Sequence, residues 1–308
     1  MSVKPSVGYV GVGLMGGSMV ERLVPLGYRV QAFDIDTDRV AAAQRAGARP
    51  VANAADAARG VDFVMLNLPS AQAVEEVVFG TTSLATALRP PQLVVDFSTI
   101  PAAKCRDFSR RLHEKTGCTW VDAPVSGGPP AAAAGSLTIM AGGAETDIAR
   151  LRPLMEDVGR QFTHVGPVGS GSLAKTIAQL VVCSTYVVLA EAARLAEAAG
   201  IDAAILPSCV RGGHADGELM RQVYPRIAAH DFAPRAYARQ LLKDLEAVQE
   251  LGRDAHVPTP MSAQATQLYR LMVAAGHAEI DGCGIYKLFE SQAVAPMAAA
   301  TSTFGGHP

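Results

Sequence analysis

The sequence predicts an α/β fold in which a doubly wound parallel sheet is followed by a long helix and an all-α second half. Three observations support this prediction. Short apolar runs alternate with helical stretches through the first half of the chain, a pattern typical of a parallel sheet with helices on both faces. A helical stretch with few interruptions begins at Leu173, and no strand pattern follows Thr163.

The first half contains six runs that read as strands and four stretches that read as helices. The run at 64–68 is apolar with little alternation, as expected of a strand that is covered on both sides. The predicted strands are 6–10, 29–33, 62–68, 93–97, 119–122 and 137–141. The predicted helices between them are 15–26, 38–46, 71–78 and 102–114.

The pattern changes at Gly166, where a turn-rich connector precedes a helix that is apolar nearly all round in its middle. Such a helix is expected to be covered by both domains or by a second subunit. Further helices are predicted at 203–210, 218–229, 236–252 and 262–275. We therefore predict domains over 1–166 and 167–290, joined by a long interdomain helix over 169–199. The tail, 291–308, is rich in Ala, Gly and Thr and is expected to be loosely held.

Composition excludes several classes of protein. Of the 308 residues, 49% are hydrophobic and 18% charged, and the net charge is −2, which indicates a compact globular chain without a basic surface for nucleic acid. The five cysteines are scattered and lack a paired spacing, so we expect reduced thiols in a cytoplasm and no metal site. The longest apolar stretch, 177–190, is shorter than the roughly 20 residues of a membrane span.

A glycine-rich turn follows the first predicted strand. Gly11, Gly13 and Gly16 are spaced as in a turn that lets a helix N-terminus receive a pyrophosphate. Asp34 closes the second predicted strand, where a carboxylate can hold a ribose 2′-hydroxyl. Strand, turn, helix and acid together predict a dinucleotide site. Its cofactor-binding residues at the turn and the acid are Gly11, Gly13, Leu14, Met15, Gly16 and Asp34.

Two further strand ends belong to the same predicted edge of the sheet. Open α/β sheets bind ligands at the carboxyl ends of their strands. Leu68 and Pro69 follow one of these strands and Thr99 follows another. We therefore predict that these three residues contact the cofactor.

Three more segments contain side chains suited to chemistry. Asp122-Ala-Pro-Val-Ser-Gly-Gly128 follows a strand, and its backbone N–H groups and the Ser126 hydroxyl can bind an anion, although an ordinary turn has the same composition. Lys175 and Gln179 are four residues apart on one helix face, where a surface lysine is the simpler interpretation. Lys243-Asp244-Leu245 by itself reads as an exposed ion pair.

Taken in order, residues 11–16, 122–128, 171–175 and 243–245 resemble the β-hydroxyacid dehydrogenase family over residues 6 to about 290. The resemblance implies a Rossmann domain and a helical second domain that forms dimers or tetramers. It implies that Lys175 is the catalytic lysine and that Ser126, Gly127 and Gly128 bind the substrate carboxylate. It also implies that Thr99 and Lys243 lie near the nicotinamide.

The resemblance further implies NAD rather than NADP, because a 2′-phosphate would meet the carboxylate of Asp34. Arg39 is close in sequence and leaves some use of NADP open. The family usually has asparagine four residues after its lysine, whereas this chain has Gln179, which we predict to contact the substrate. Many members also have an aromatic residue where this chain has Ala236.

The substrate implied is a small β-hydroxy acid or its semialdehyde, of the 3-hydroxyisobutyrate, tartronate semialdehyde or threonate type. Two alternatives stay open at this point. A cofactor-binding module without catalysis would share the fold, but such relatives have lost the lysine that this chain retains as Lys175. An imine reductase shares the fold too and usually lacks that lysine.

Overall fold

The computed structural model describes residues 4–290, so the tail predicted at 291–308 lies outside the described residues. The chain divides into two compact units between Ala178 and Gln179. The domain boundary expected after residue 166 stays a prediction.

The first unit is built on a mostly parallel sheet. Its strand order is β3-β2-β1-β4-β5-β6-β8-β7, with β9 paired to β8, and the run 3-2-1-4-5-6 is the doubly wound order. Only β8 runs antiparallel to its neighbours β6 and β7 among the described pairs. The strands are β1 (Ser6–Val10), β2 (Arg29–Phe33), β3 (Arg49–Pro50), β4 (Phe63–Leu66), β5 (Leu93–Asp96), β6 (Thr119–Asp122), β7 (Val125–Ser126), β8 (Leu137–Gly142) and β9 (Gly159–Gly166).

Helices connect these strands and begin at recognisable caps. Asp36, Asn53 and Ser70 each accept a backbone N–H of the first turn that follows, which satisfies donors that a helix start leaves free. The helices are α1 (Leu14–Leu23), α2 (Thr37–Arg45), α3 (Ala54–Ala57), α4 (Ala71–Phe79), α5 (Leu84–Ala87), α6 (Ala102–Thr116), α7 (Gly128–Ala134) and α8 (Glu145–Val158).

The sheet separates two hydrophobic cores. Successive residues of a strand point to opposite faces, and in β4 Met65 joins one core while Val64 and Leu66 join the other. The first core includes Met19 of α1, and the second includes Trp120. Both faces are therefore covered, and the predicted fold class is confirmed.

A long helix, α9 (Ser170–Ala198), extends from the first unit into the second. Within 179–290 the structure contains helices and one isolated bridge, Tyr237–Asp281, so the all-α prediction is confirmed for these residues. The other helices are α10 (Leu206–Cys209), α11 (Glu218–Gln222), α12 (Tyr224–Ala228), α13 (Ala238–Asp254), α14 (Pro260–Ala274) and α15 (Lys287–Glu290), with short 3₁₀ turns at Val24–Leu26, Ala203–Ile205 and Gly282–Tyr286.

Helix α9 has an apolar face that residues 4–290 leave exposed. Ile177, Val181, Val188 and Leu195 are between 53% and 71% exposed. By length and composition alone α9 could cross a membrane, and 33% of its most apolar window is buried. The opposite face, with Cys183, belongs to the core of the second unit.

Two predicted helices are broken in the structure. The stretch 218–229 divides at Val223 into α11 and α12, because Pro225 has no N–H to bond the carbonyl four residues earlier. The stretch 203–210 divides into a 3₁₀ turn and α10. Strands β3, β7 and β9 were not predicted.

Candidate active site

The glycine turn lies between β1 and α1. Gly11 has φ +90°, and a Cβ there would lie 2.3 Å from the carbonyl oxygen of Asn67, so a larger residue would collide with backbone. A Cβ on Gly16 would lie 2.0 Å from the carbonyl oxygen of Gly11, which shows how closely α1 packs on the turn. A Cβ on Gly13 would meet only the Arg39 guanidinium, at 3.2 Å, among the described residues. The turn therefore leaves space beside Gly13, while binding of a pyrophosphate there stays a prediction.

Asp34 is oriented toward this turn. Its carboxylate accepts the Val12 N–H at 2.8 Å and the Asp36 N–H at 3.0 Å. Arg39 forms an ion pair with Asp36 at 3.2 Å. The structure thus brings the acid and the glycine turn together, while the role of Asp34 toward a ribose stays a prediction. Leu14 is exposed and Met15 half-buried at the start of α1.

The ends of β4 and β5 meet beside the turn. The Leu68 N–H donates to the Ser98 hydroxyl at 2.9 Å, and the Ser98 N–H donates to Asp96 at 2.9 Å. A Cβ built on Gly11 would also lie 3.1 Å from a methyl group of Leu68. Thr99 is half-buried and Pro69 exposed. Ser98 was not singled out from the sequence, although its place directly after an apolar strand was the available signal.

The segment 122–128 runs from the end of β6 through the short strand β7 to a turn at Gly127 and Gly128. Ser126 pairs with Thr138 across β7 and β8. Gly127 has φ +128° and Gly128 has φ +70°, values that other L residues rarely adopt. Both glycines are therefore needed for the turn, while binding of a substrate carboxylate stays a prediction.

Lys175 lies in the second turn of α9 and is 7% exposed, so the interpretation as a surface lysine is wrong. The start of its helix is held by Asp122, whose carboxylate accepts the Gly169 N–H at 2.6 Å and the Ser172 N–H at 2.8 Å. Burial raises the pKa of Asp122, and these two hydrogen bonds oppose the rise. This contact was not predictable from local sequence patterns, because Gly169 and Ser172 lie 47 and 50 residues after Asp122.

Two predicted site residues, Gln179 and Lys243, belong to the second unit. The Gln179 amide donates to the Asp244 carboxylate at 2.6 Å, and both side chains are buried. The other oxygen of Asp244 lies 3.6 Å from the Lys243 ammonium. Asp244 thus contacts both predicted residues. The prediction that Asp244 belongs to an exposed ion pair is wrong, because its side chain is buried. Across residues 4–290 no cluster of three or more His, Cys, Asp or Glu side chains could hold a metal ion.

Comparisons with known proteins cover nearly the whole chain. Residues 6–166 match the family described as "NAD binding domain of 6-phosphogluconate dehydrogenase". Residues 169–289 match the family described as "NAD-binding of NADP-dependent 3-hydroxyisobutyrate dehydrogenase". The two matches meet at the turn-rich connector that precedes α9.

Individual relatives agree with these matches. A NAD-dependent L-serine dehydrogenase of Pseudomonas aeruginosa is 34% identical, over 92% of this chain and 97% of the relative. The crystal structure of a 3-hydroxyisobutyrate dehydrogenase from Salmonella typhimurium is similar with a TM-score of 0.86 and 27% identity, over 93% of this chain and 100% of that one. A 3-hydroxyisobutyrate dehydrogenase of Mycobacterium tuberculosis, solved with L-serine, has a TM-score of 0.81 and 28% identity, over 93% and 99%.

Proposed function

The chain belongs to the β-hydroxyacid dehydrogenase family, and from that membership we propose that it transfers a hydride between a nicotinamide dinucleotide and a small β-hydroxy acid or its semialdehyde. The observation that carries the proposal is the buried side chain of Lys175. A buried ammonium is rare in proteins, and this one follows a helix start that is fixed by the motif 122–128.

In this proposal the chain's own residues move the proton and hold the substrate. A bound nicotinamide supplies the carbon that accepts or donates the hydride. Lys175 takes the hydroxyl proton when the alcohol is oxidised and returns it when the carbonyl is reduced, and its charge stabilises the alkoxide that develops. Ser126 and the N–H groups of Gly127 and Gly128 hold the substrate carboxylate, which fixes the carbon that reacts.

We propose a substrate of the 3-hydroxyisobutyrate, tartronate semialdehyde or threonate type, and the relatives named with L-serine add a β-hydroxy amino acid to the set to be tested. Gln179 and Lys243 stay predicted contacts of the substrate and the cofactor.

NAD is the proposed cofactor, and NADP the weaker alternative. The Asp34 carboxylate beside the glycine turn favours a ribose with a free 2′-hydroxyl, because a 2′-phosphate would meet like charge. The Arg39 guanidinium, close to Gly13, is the side chain that would favour a phosphate.

We also propose that the protein is a cytoplasmic homo-oligomer. Four of the five free cysteines are buried, which fits a reducing compartment.

The proposal is tested by following nicotinamide absorbance over a panel of β-hydroxy acids, semialdehydes and L-serine, with NAD and NADP run side by side. Lys175→Met should lower kcat by roughly 10²- to 10⁴-fold, the usual range for a proton-transfer group. Lys115→Met, at an exposed position of α6, is the control and should keep wild-type turnover.

Three results would count against the proposal. Full kcat in Lys175→Met would remove the role given to the lysine. Tight binding of NADH without turnover on any member of the panel would favour a cofactor-binding module. Reduction of cyclic imines in place of hydroxy-acid oxidation would favour an imine reductase.

A further inference from the structure

We propose that Asp122 is a positioning residue for Lys175, because its buried carboxylate fixes the first turn of the helix that contains the lysine. The inference rests on the proton-transfer role proposed above for Lys175. It assigns Asp122 no contact with substrate or cofactor. Its effect on the reaction would come entirely through the placement of α9.

The contacts of Asp122 are those of a helix cap supplied from another element. Helix α9 begins at Ser170, and a helix start leaves backbone N–H groups without partners. Gly169 has no side chain with which to cap the helix. The Asp122 carboxylate instead accepts one N–H from Gly169 and one from Ser172, at 2.6 and 2.8 Å. A negative charge at this end also matches the helix dipole.

The carboxylate is enclosed where strand and helix meet. A Cβ on Gly142 would lie 2.6 Å from one carboxylate oxygen of Asp122, and a Cβ on Gly171 would lie 3.0 Å from the other. The side chain of Asp122 has no measurable exposure. The start of α9 is thus held directly against the end of β6, with almost no space for another arrangement.

This junction couples two parts of the proposed site within the first unit. Lys175 lies three residues after Ser172, less than one helical turn from the second hydrogen bond. Ser126 lies four residues after Asp122, at the turn that we propose for the substrate carboxylate. A shift of Asp122 against α9 would change the distance between proton acceptor and anchored substrate, and misplacement by about 1 Å can lower rates roughly 10²-fold.

The energetics of Asp122 favour a functional reason for its charge. Desolvation raises the pKa of the carboxyl more than the two hydrogen bonds lower it. A carboxyl with a raised pKa in the fold stabilises the protein at low pH, and that contribution is lost as the pH rises through the folded pKa. Burial therefore opposes the charge that the two backbone N–H groups stabilise, and residues held in this way are expected mainly at functional sites.

Asp122→Asn tests the inference, since the amide keeps the shape but loses the charge and one acceptor. We expect kcat to fall roughly 10- to 100-fold, with the Kd for NADH within about twofold of wild type. We expect Tm to fall as well, because one of the two buried N–H groups loses its acceptor. Asp62→Asn is the matched control. Asp62 accepts the backbone N–H and hydroxyl of Ser6 at 2.7 and 2.8 Å, and these bonds lower its pKa, so Asp62→Asn should lower Tm at neutral pH and leave kcat unchanged.

Both variants should lose stability, so a fall in kcat in Asp122→Asn but not in Asp62→Asn distinguishes a positioning role from a structural one. If Asp122→Asn keeps wild-type kcat while Lys175→Met loses it, the inference about Asp122 is wrong and the proposed function stands. If Lys175→Met keeps its turnover, both fail together. If Asp122→Asn folds poorly, Asp122→Ser, with a smaller side chain that can accept only one of the two N–H groups, is measured in the same way. Normal kcat in its folded fraction would likewise overturn the inference.

Discussion

At the residue scale, several charged side chains are buried, and the contacts of one pair show how the fold holds such charges. Charged side chains are rarely buried unless they are paired. Arg226 and Asp281 form an ion pair at 3.2 Å, and Asp281 also accepts the backbone N–H groups of Arg235 and Ala236, so this pair holds a loop in the second unit. Lys175 is also buried, and it lies in one of the segments on which the family resemblance rests.

The residues that hold these charges show how far the sequence could predict the site. Glycine spacing and strand ends are local signals, and they identified the turn at Gly11 and the acid at Asp34. The partners of Asp122 and Asp244 are separated from them by 47 to 65 residues. Such contacts depend on which elements the topology brings together, and no local pattern encodes them.

Asp34→Asn should shift the cofactor preference toward NADP. The substitution removes the negative charge of Asp34. It keeps one oxygen that can accept the Val12 N–H, which lies 2.8 Å from the carboxylate of the wild type. Because juxtaposed like charges cost several kcal/mol, we expect the ratio of kcat/KM for NADP over NAD to rise by roughly tenfold or more. Steady-state kinetics with both cofactors measure this ratio. Asp38→Asn, at an exposed position of α2, is the control, and an equal shift in both variants would contradict the role of Asp34.

At the element scale, strands that are covered on both faces were predictable and edge strands were not. β1, β2 and β6 have the predicted bounds, because their apolar runs fill the two cores. β9 has side chains that are exposed or half-buried after Gly159, and its polar sequence resembles a loop. β3 and β7 have two residues each, too few for any periodicity to be visible.

The glycine turn between β1 and α1 supports a prediction that separates folding from cofactor binding. Gly16→Ala would place a Cβ 2.0 Å from backbone oxygen, so we expect the free energy of unfolding to fall by roughly 1–3 kcal/mol, as for other overpacked sites. Gly13→Ala would meet only a flexible arginine end at 3.2 Å, so the fold should persist. Its methyl group would occupy the space proposed for the pyrophosphate and weaken NAD binding by at least about tenfold.

Thermal unfolding and calorimetric titration with NAD measure the two effects separately. Gly217→Ala is the control, since Gly217 has no positive φ and no atom lies within 4 Å of the position that a Cβ would take. It should keep the wild-type stability and NAD affinity. Normal NAD affinity in Gly13→Ala would show that the pyrophosphate does not approach this side of the turn.

At the scale of the whole molecule, we propose that a partner covers the face of α9 that residues 4–290 leave exposed. Its large apolar side chains, from Ile177 to Leu195, extend over roughly 27 Å of helix. A membrane is a poor partner, because the opposite face of α9 packs in the core of the second unit and the helix includes Lys175, Glu191, Arg194 and Glu197. Ionisable residues are expensive inside a bilayer.

The arrangement of side chains on this face favours a second copy of the chain. Val181 and Val188 are equidistant from the midpoint between Ser184 and Thr185. About the same midpoint, Ile177 is the counterpart of Ala192, and Leu195 is the counterpart of Ala174. An antiparallel copy of α9 would therefore set Val181 of each copy against Val188 of the other, and Ile177 and Leu195 each against an alanine. Such reciprocal contacts are those of an isologous twofold interface.

Val188→Glu should dissociate this proposed dimer. Val188 lies near the centre of the face and is 53% exposed, and a twofold axis would bring two added carboxylates close together, where like charges repel. Sedimentation equilibrium should give a mass at least twice 32.1 kDa for the wild type and a shift toward the single-chain mass for the variant. Val257→Glu, at a valine that is 55% exposed outside α9, should keep the wild-type mass. A wild-type protein that sediments as a single chain, or a Val188→Glu variant that sediments like the wild type, would show that a second copy does not cover this face of α9.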